Sequence, residues 1–245
     1  MKFGVFSDVH SNLEALNAVL DFFKKNEITN YICCGDVVGY GPQPLECVRK
    51  VADLKNLTIV IGNHDAAVVG KMEMKWFNSQ ALEAIDFSRK NLSGELFRYL
   101  ADLPEIIENQ EFTIVHGSPK NHLKEYLLSE SQFLENTGFW KISPCFIGHS
   151  HIPVYFKQNG IEIPESDFLK PLAKITANPA GKYMFNSGSV GQPRDGNPYA
   201  SCAIYDSDKK AFEIFRIKYD VARTQKLMKE KKLPQVLIDR LSFGF

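Results

Sequence analysis

The stretch Ile59-Val60-Ile61-Gly62-Asn63-His64-Asp65 reads as a short apolar strand that stops at a glycine and then presents an amide, an imidazole and a carboxylate in succession. A β-rich apolar run ending at Gly is the signal of a buried strand. In α/β sheets, chemistry collects just beyond the carboxyl ends of strands. The pattern recurs along the chain. Val5-Phe6 runs into Ser7-Asp8-Val9-His10, and Tyr31-Ile32-Cys33-Cys34 runs into Gly35-Asp36. Phe112-Thr113-Ile114-Val115 runs into His116-Gly117, and Cys145-Phe146-Ile147 runs into Gly148-His149-Ser150-His151. Strand after strand thus ends in side chains that can bind a metal.

Outward from these runs the chain reads as α/β. Residues 2–6 form a first strand. Ser11-Asn12-Leu13-Glu14 reads as a capping box with Ser11 at the cap. Leu13, Leu16, Val19, Leu20 and Phe23 follow at helical spacing, with Lys24-Lys25 suited to the helix C-terminus. The next strand, 31–34, completes a β-α-β unit with a right-handed crossover and parallel strands expected. The Gly/Pro-rich segment after Asp36 is a loop. A helix over about 44–54 leads to strand 57–61. Residues 66–103 read as a helical insertion that walls the site, with Asn78-Ser79 and Ser93 as starts and Pro104 as a stop. Strands at 105–108 and 111–115 are joined by a turn at Asn109-Gln110, and a helix around 121–136 precedes strand 144–147. Short strands at 152–157, 161–163, 183–187, 199–206 and 211–219 predict a second, antiparallel or mixed sheet. Helices at 221–232 and 235–241 flank Pro234. The expected fold is one domain over 1–245 of two packed mixed sheets flanked by helices, with the insertion at 66–103 and C-terminal helices within 221–241.

Composition narrows the function classes. The 29 basic and 29 acidic residues cancel, which removes any general electrostatic pull toward nucleic acid or acidic membrane. No apolar run reaches the ~18–20 residues of a membrane span. The N-terminus carries no signal-peptide pattern. Cys33, Cys34, Cys47, Cys145 and Cys202 show no C-x-x-C spacing and read as reduced structural thiols of a cytoplasmic protein.

A lone Asp or His after a strand is usually a turn former. Here five of the six histidines, His10, His64, His116, His149 and His151, fall in the strand-end motifs. Only His122 lies outside, and it reads as a helix start or surface residue. Asp8 and His10 at i, i+2 point the same way if the backbone is extended, as do His149 and His151. Asp36 can bridge two cations, Asn63 offers an amide oxygen and His116 a further nitrogen. Such an inventory exceeds one tetrahedral ion and suits two ions of higher coordination. Mixed O/N ligation without thiolate fits Mn, Fe, Co, Ni or Zn better than Ca or an iron–sulfur cluster. Paired ions ~3.5–4 Å apart are a known arrangement for phosphoester cleavage.

In order, Asp8-Val9-His10, Gly35-Asp36, Gly62-Asn63-His64-Asp65, His116-Gly117 and Gly148-His149-Ser150-His151 resemble the signature blocks of the calcineurin-like metallophosphoesterase superfamily. Residues 35–42 and Asn186-Ser187-Gly188-Ser189-Val190-Gly191-Gln192-Pro193-Arg194 resemble its small bacterial and archaeal branch. The resemblance implies a four-layer α/β/β/α sandwich. It implies that Asp8, His10, Asp36 and His151 hold one divalent ion, Mn foremost, and that Asp36, Asn63, His116 and His149 hold a second. It implies hydrolysis of a phosphodiester or phosphomonoester by a hydroxide bridging the ions, with His64 beside the leaving group rather than ligating.

Arg194, in a Gly/Pro-rich loop, can clamp a phosphate or serve as a solvated or dimer-contact residue. Tyr40, Trp76 and Phe77 can line a pocket for a base or aromatic leaving group. A small or nucleotide-like substrate is expected, with no membrane and no nucleic-acid partner, and a homo-oligomer stays open. The alternatives are a non-catalytic scaffold on the same fold, as in the retromer subunit that resembles this family, and a nuclease. The complete set of motif residues speaks against the first, and the neutral charge against the second.

Overall fold

The computed structural model describes residues 1–245. In chain order its elements are β1 (Lys2–Phe6), α1 (Leu13–Lys25), β2 (Asn30–Cys33), α2 (Pro44–Ala52), β3 (Leu57–Ile59), α3 (Asn63–Val68), α4 (Ser79–Asn91) and α5 (Gly94–Ala101). Then come β4 (Ile106–Glu108), β5 (Thr113–Val115), α6 (Glu130–Asn136), β6 (Cys145–Ile147), β7 (Pro153–Asn159), β8 (Glu165–Phe168) and β9 (Lys174–Thr176). The chain closes with β10 (Gly181–Ser187), β11 (Ala200–Asp206), β12 (Ala211–Ile217), α7 (Val221–Glu230) and α8 (Gln235–Asp239).

The strands form two six-stranded sheets, ordered β3-β2-β1-β11-β12-β9 and β4-β5-β6-β10-β7-β8. The β1–β2 and β2–β3 pairs are parallel, and the second sheet has parallel β5–β6 and β6–β10 pairs. Antiparallel partners, such as β11 against β1 and β7 against β10, make both sheets mixed.

Side-chain alternation along each strand builds the layers. Phe3 and Val5 of β1 enter the core between the sheets with Phe112, Phe146, Phe185 and Phe212. Phe6 faces the other way, into the helical layer of α1–α5, α7 and α8 with Leu16, Val48, Ala84, Leu100 and Leu237. Across the sheets, Phe185 and Phe212 stack with centroids 4.4 Å apart and planes 10° from parallel. Each such fully buried ring contributes about 1.5–3 kcal/mol of burial energy. The outer face of the second sheet packs α6 through Phe133 against Ile147 and Phe156. The result is the expected four-layer α/β/β/α sandwich.

Several local expectations are corrected. Asn12, not Ser11, caps α1: its side chain accepts from Ala15 N at 3.2 Å. Glu14 therefore falls one position short of N3, and it pairs with Arg223 instead. The helix expected over 121–136 is confined to Glu130–Asn136. Upstream of it the backbone folds back on itself, with Gly117 N donating to His122 O and Ser118 N to Asn121 O. Residues 161–163 are not a strand. The pairing register Lys157↔Glu165 leaves them in the turn, so the strand begins at Glu165. The three-residue β9, paired to β12, was not expected from the sequence. Within 66–103 the helices are present, with Asn78 capping α4 by accepting from Ala81 N at 2.9 Å. No helix is long and apolar enough to cross a membrane.

Candidate metal centre

The strand ends of both sheets meet at one edge of the sandwich. The first sheet delivers Asp8, His10, Asp36 and Asn63 beyond β1, β2 and β3, and the second delivers His116, His149 and His151 beyond β5 and β6. All seven side chains are buried. Asp8 with His10 and His151, and Asp36 with His116 and His149, each bring their ligand atoms within 4.8 Å of one another, and a third set, His10 with Asp36 and His64, links the two. Asp36 stands between them: its Oδ2 lies 3.6 Å from His10 Nε2 and 3.4 Å from His116 Nε2. Asp8 Oδ1 lies 3.3 Å from His151 Nε2.

The side chains converge, but not by the extended backbone expected from the i, i+2 spacing. Asp8, His10, Asp36, His149 and His151 adopt φ of +53°, +47°, +56°, +67° and +61°. Left-handed backbone costs a non-glycine residue about 1–2 kcal/mol and persists only where the surroundings over-determine it. Here they do. Asp8 N donates to Gly35 O and His10 N to Asp36 O, each at 3.0 Å. Asp8 O accepts from Gly191 N at 2.9 Å and from Ser189 Oγ at 2.8 Å. His149 N donates to the Asp8 carboxylate at 3.2 Å, and Asn186 Nδ2 holds Gly148 O at 2.6 Å. Close approach requires glycine at Gly62, where a Cβ would meet Asp36 Oδ1 at 2.1 Å.

Hydrogen bonding sets the tautomers. The Nδ1 atoms of His10, His116 and His151 face the carbonyls of Val38, Cys34 and Gln192 at 3.0, 2.7 and 2.6 Å. A carbonyl only accepts, so each Nδ1 carries the hydrogen and each Nε2 is turned into the site. His10 Nε2 and His151 Nε2 consequently face one another at 3.0 Å. Burial keeps both rings well below the ordinary histidine range, so two lone pairs converge on a point that a cation can satisfy. At the second group His116 Nε2 lies 2.9 Å from Asn63 Oδ1 and 3.1 Å from His149 Nδ1. Burial disfavours charge on His116, but the Asp36 carboxylate outweighs it and raises the ring to about 9. Burial likewise works to raise Asp36, but His116, His64 and His10 hold it below the usual carboxylate range. Burial raises Asp8 to about 7. The buried, converging O/N donors fit divalent cations.

His64 lies at the edge of this cluster. Its backbone N donates to Asp36 Oδ1 at 2.8 Å, and its buried Nδ1 has no partner. The ring sits among Tyr40, His10 and Phe77, with centroids 4.4, 4.9 and 5.1 Å away. Burial, reinforced by Arg194 and opposed by Asp36, lowers it to about 4. Arg194 Nη2 reaches Gln192 Oε1 at 3.1 Å and Tyr40 Oη at 3.4 Å, both neutral partners. His122 is not part of these clusters, and its side chain pairs with Glu105 at 3.3 Å. Of the aromatics expected around the site, Tyr40 and Phe77 are buried against His64, while Trp76 is exposed.

Two residues have no role assigned from the sequence. Asp65 accepts from Val38 N at 3.0 Å and Gly62 N at 3.1 Å, tying the loop after β2 to the turn after β3. A carboxylate directly following the candidate ligands was the available signal. Tyr126 stacks on His149 with centroids 3.9 Å apart, and nothing in its local sequence marks it.

The model of the calcineurin-like phosphoesterase superfamily domain matches residues 1–210. An uncharacterized protein of Methanocaldococcus jannaschii is 39% identical over 245 residues, covering 98% of this chain and 97% of its own. The crystal structure of a metallophosphoesterase from Sphaerobacter thermophilus is 36% identical with a TM-score of 0.90, over 100% of this chain and 99% of that one. A more local similarity, 44% identity over 64 residues, covers 25% of this chain and 23% of a symmetrical bis(5'-nucleosyl)-tetraphosphatase of Psychromonas ingrahamii.

Proposed function

This chain belongs to the calcineurin-like phosphoesterase superfamily, and on that premise we propose that it is a dinuclear metal-dependent hydrolase of a phosphodiester or phosphomonoester. The observation that carries the reading is the pair of buried donor groups with Asp36 between them, its Oδ2 3.6 Å from His10 Nε2 and 3.4 Å from His116 Nε2, and with the Nε2 atoms of His10 and His151 turned toward each other. Asp8, His10, Asp36 and His151 would hold one ion, and Asp36, Asn63, His116 and His149 the other. Manganese is the preferred ion, with iron, cobalt, nickel or zinc compatible with the same donors. Bound ions supply charge neutralisation of the phosphoryl oxygens and acidify water toward neutral pH.

The protein's own residues do the rest. The carbonyl-tethered Nδ1 atoms of His10, His116 and His151 fix the ring orientations in advance of binding. His64 would hydrogen-bond or protonate the leaving oxygen. An anionic phosphoester beside it opposes the effects of burial and of Arg194 and favours the imidazolium. Arg194, bonded only to neutral groups, clamps a phosphoryl oxygen. The substrate is small and nucleotide-like, a reading supported by the local similarity to dinucleoside tetraphosphatases. Five free, buried cysteines support a cytoplasmic location.

The test is hydrolysis of bis-p-nitrophenyl phosphate beside p-nitrophenyl phosphate, using chelator-stripped protein with Mn²⁺ restored. His64→Ala is expected to lower turnover about 10²–10⁴-fold while metal content stays near wild type. Equal loss of metal and activity would make His64 a ligand. Bound metal with no turnover of either ester would overturn the hydrolase reading.

A further inference from the structure

Two aromatic rings from separate segments meet at the mouth of the metal centre. Trp76 ends a single 3-10 turn, Met74–Trp76, ahead of α4, and Tyr126 lies in the irregular segment before α6. Their rings are 13° from parallel with centroids 6.4 Å apart. Both also lie nearly parallel to the His149 imidazole, Tyr126 at 3.9 Å and 25° and Trp76 at 5.8 Å and 27°. Yet neither belongs to the core: Trp76 is 36% and Tyr126 38% exposed. Exposed aromatics scattered singly need no explanation. Two near-parallel ones, aligned with the ring of a candidate metal ligand and partly exposed, present apolar ring surface beside that ligand. Tyr40, its ring 4.4 Å from that of His64, and Arg194, within 3.4 Å of the Tyr40 hydroxyl, add a hydroxyl and a cation.

We infer that Trp76 and Tyr126 form a stacking shelf for the base of a nucleotide-type phosphoester, an inference that rests on the phosphoesterase reading above. The asymmetry sets the orientation. The phosphoryl group faces the histidines and Arg194, the sugar spans the gap, and the base lies on the indole and phenol faces beside His149. Stacking a base on an aromatic side chain is worth about 1–3 kcal/mol and tolerates any base. That corresponds to a preference of roughly 5–150-fold for an ester carrying a base over one without it.

The test uses two diesters with a common leaving group, thymidine 5'-p-nitrophenyl phosphate and methyl p-nitrophenyl phosphate, on the manganese-loaded protein. The thymidine ester is expected to be favoured in kcat/KM by about 5–150-fold. Trp76→Ala and Tyr126→Ala should each shrink that ratio, chiefly through KM for the thymidine ester. Binding supplies a readout independent of turnover. The chain has two tryptophans, and Trp140 is buried, so adenosine 5'-monophosphate should quench the fluorescence of Trp76. The quench should persist in Trp140→Phe and vanish in Trp76→Phe. Equal hydrolysis of the two esters, or ratios unmoved by both variants, would overturn the shelf while leaving the hydrolase reading intact. Quenching without turnover of either ester would support the shelf and count against that reading instead.

Discussion

Gly39→Ala tests whether His64 acts by position. Gly39 sits at φ +95°, and a Cβ there would lie 2.5 Å from His64 Nδ1 and 2.9 Å from its Cγ. Ordinary contact begins near 3.4 Å, so the imidazole must recoil by about 1 Å, a displacement able to cost about 10²-fold in rate at a reacting centre. The ring has little room to retreat, being hemmed by Tyr40, His10 and Phe77. The three atoms nearest the added methyl all belong to His64. The expected outcome is a fall of about 10²-fold in kcat for bis-p-nitrophenyl phosphate with metal content unchanged by elemental analysis. Backbone strain should add a stability loss of about 1–3 kcal/mol, or about 2–12 °C in Tm. The decisive arm is the double variant with His64→Ala. If the methyl acts through His64, the double variant is no slower than His64→Ala alone. Independent, multiplying losses would refute the reasoning, as would a Gly39→Ala enzyme with wild-type turnover.

Asn63→Ala removes the amide oxygen 2.9 Å from His116 Nε2, so bound manganese should fall from two ions per chain toward one. Unchanged stoichiometry would exclude Asn63 as a ligand. Asp65→Asn replaces one of two acceptors serving Val38 N and Gly62 N and should destabilise the protein by about 1–3 kcal/mol, read as a lower Tm by differential scanning calorimetry. A Tm equal to wild type would show that the two loops hold without it. Manganese binding should release protons, because His116, raised to about 9, and Asp8, raised to about 7, both exchange a proton for the ion. The sign follows directly. Affinity weakens as pH falls, by one proton's worth between about 9 and 7 and by two below about 7. Titration calorimetry at pH 8 in buffers of different ionisation enthalpy would detect the release, and buffer-independent heats would contradict it.

The strand-end residues were legible because their chemistry is rare and their positions follow from strand periodicity. An apolar run that stops at Asp or His announces both a strand and its functional end. The two-sheet fold was legible for the same reason: Phe3 and Val5 against Phe6, or Phe146 against Cys145 and Ile147, display the alternation of strands covered on both faces. What stayed hidden depends on partners distant in sequence. Ile161 and Ile163 have strand propensity, yet the register of β7 with β8 leaves them exposed in a turn. Leu123, Tyr126 and Leu127 have helical spacing, yet their segment is claimed by the polar contacts of Ser118, Asn121, Glu125 and Asn136. The left-handed turns at Asp8 and His149 arise from the loop at 188–192 and from Asn186, both far along the chain. Local sequence names the candidate ligands, and remote hydrogen bonds aim them.

That division has a consequence for biosynthesis. Every candidate ligand has been synthesised once residue 151 is made, but the frame that aims them is not yet complete. β10 must still insert between β6 and β7, β11 must pair with β1, and Val190 and Gly191 must reach back to Ser7 and Asp8. A nascent chain therefore carries the candidate donors well before it can present them, and on the proposed reading metal loading would be a late event, gated by the arrival of the final third of the sequence.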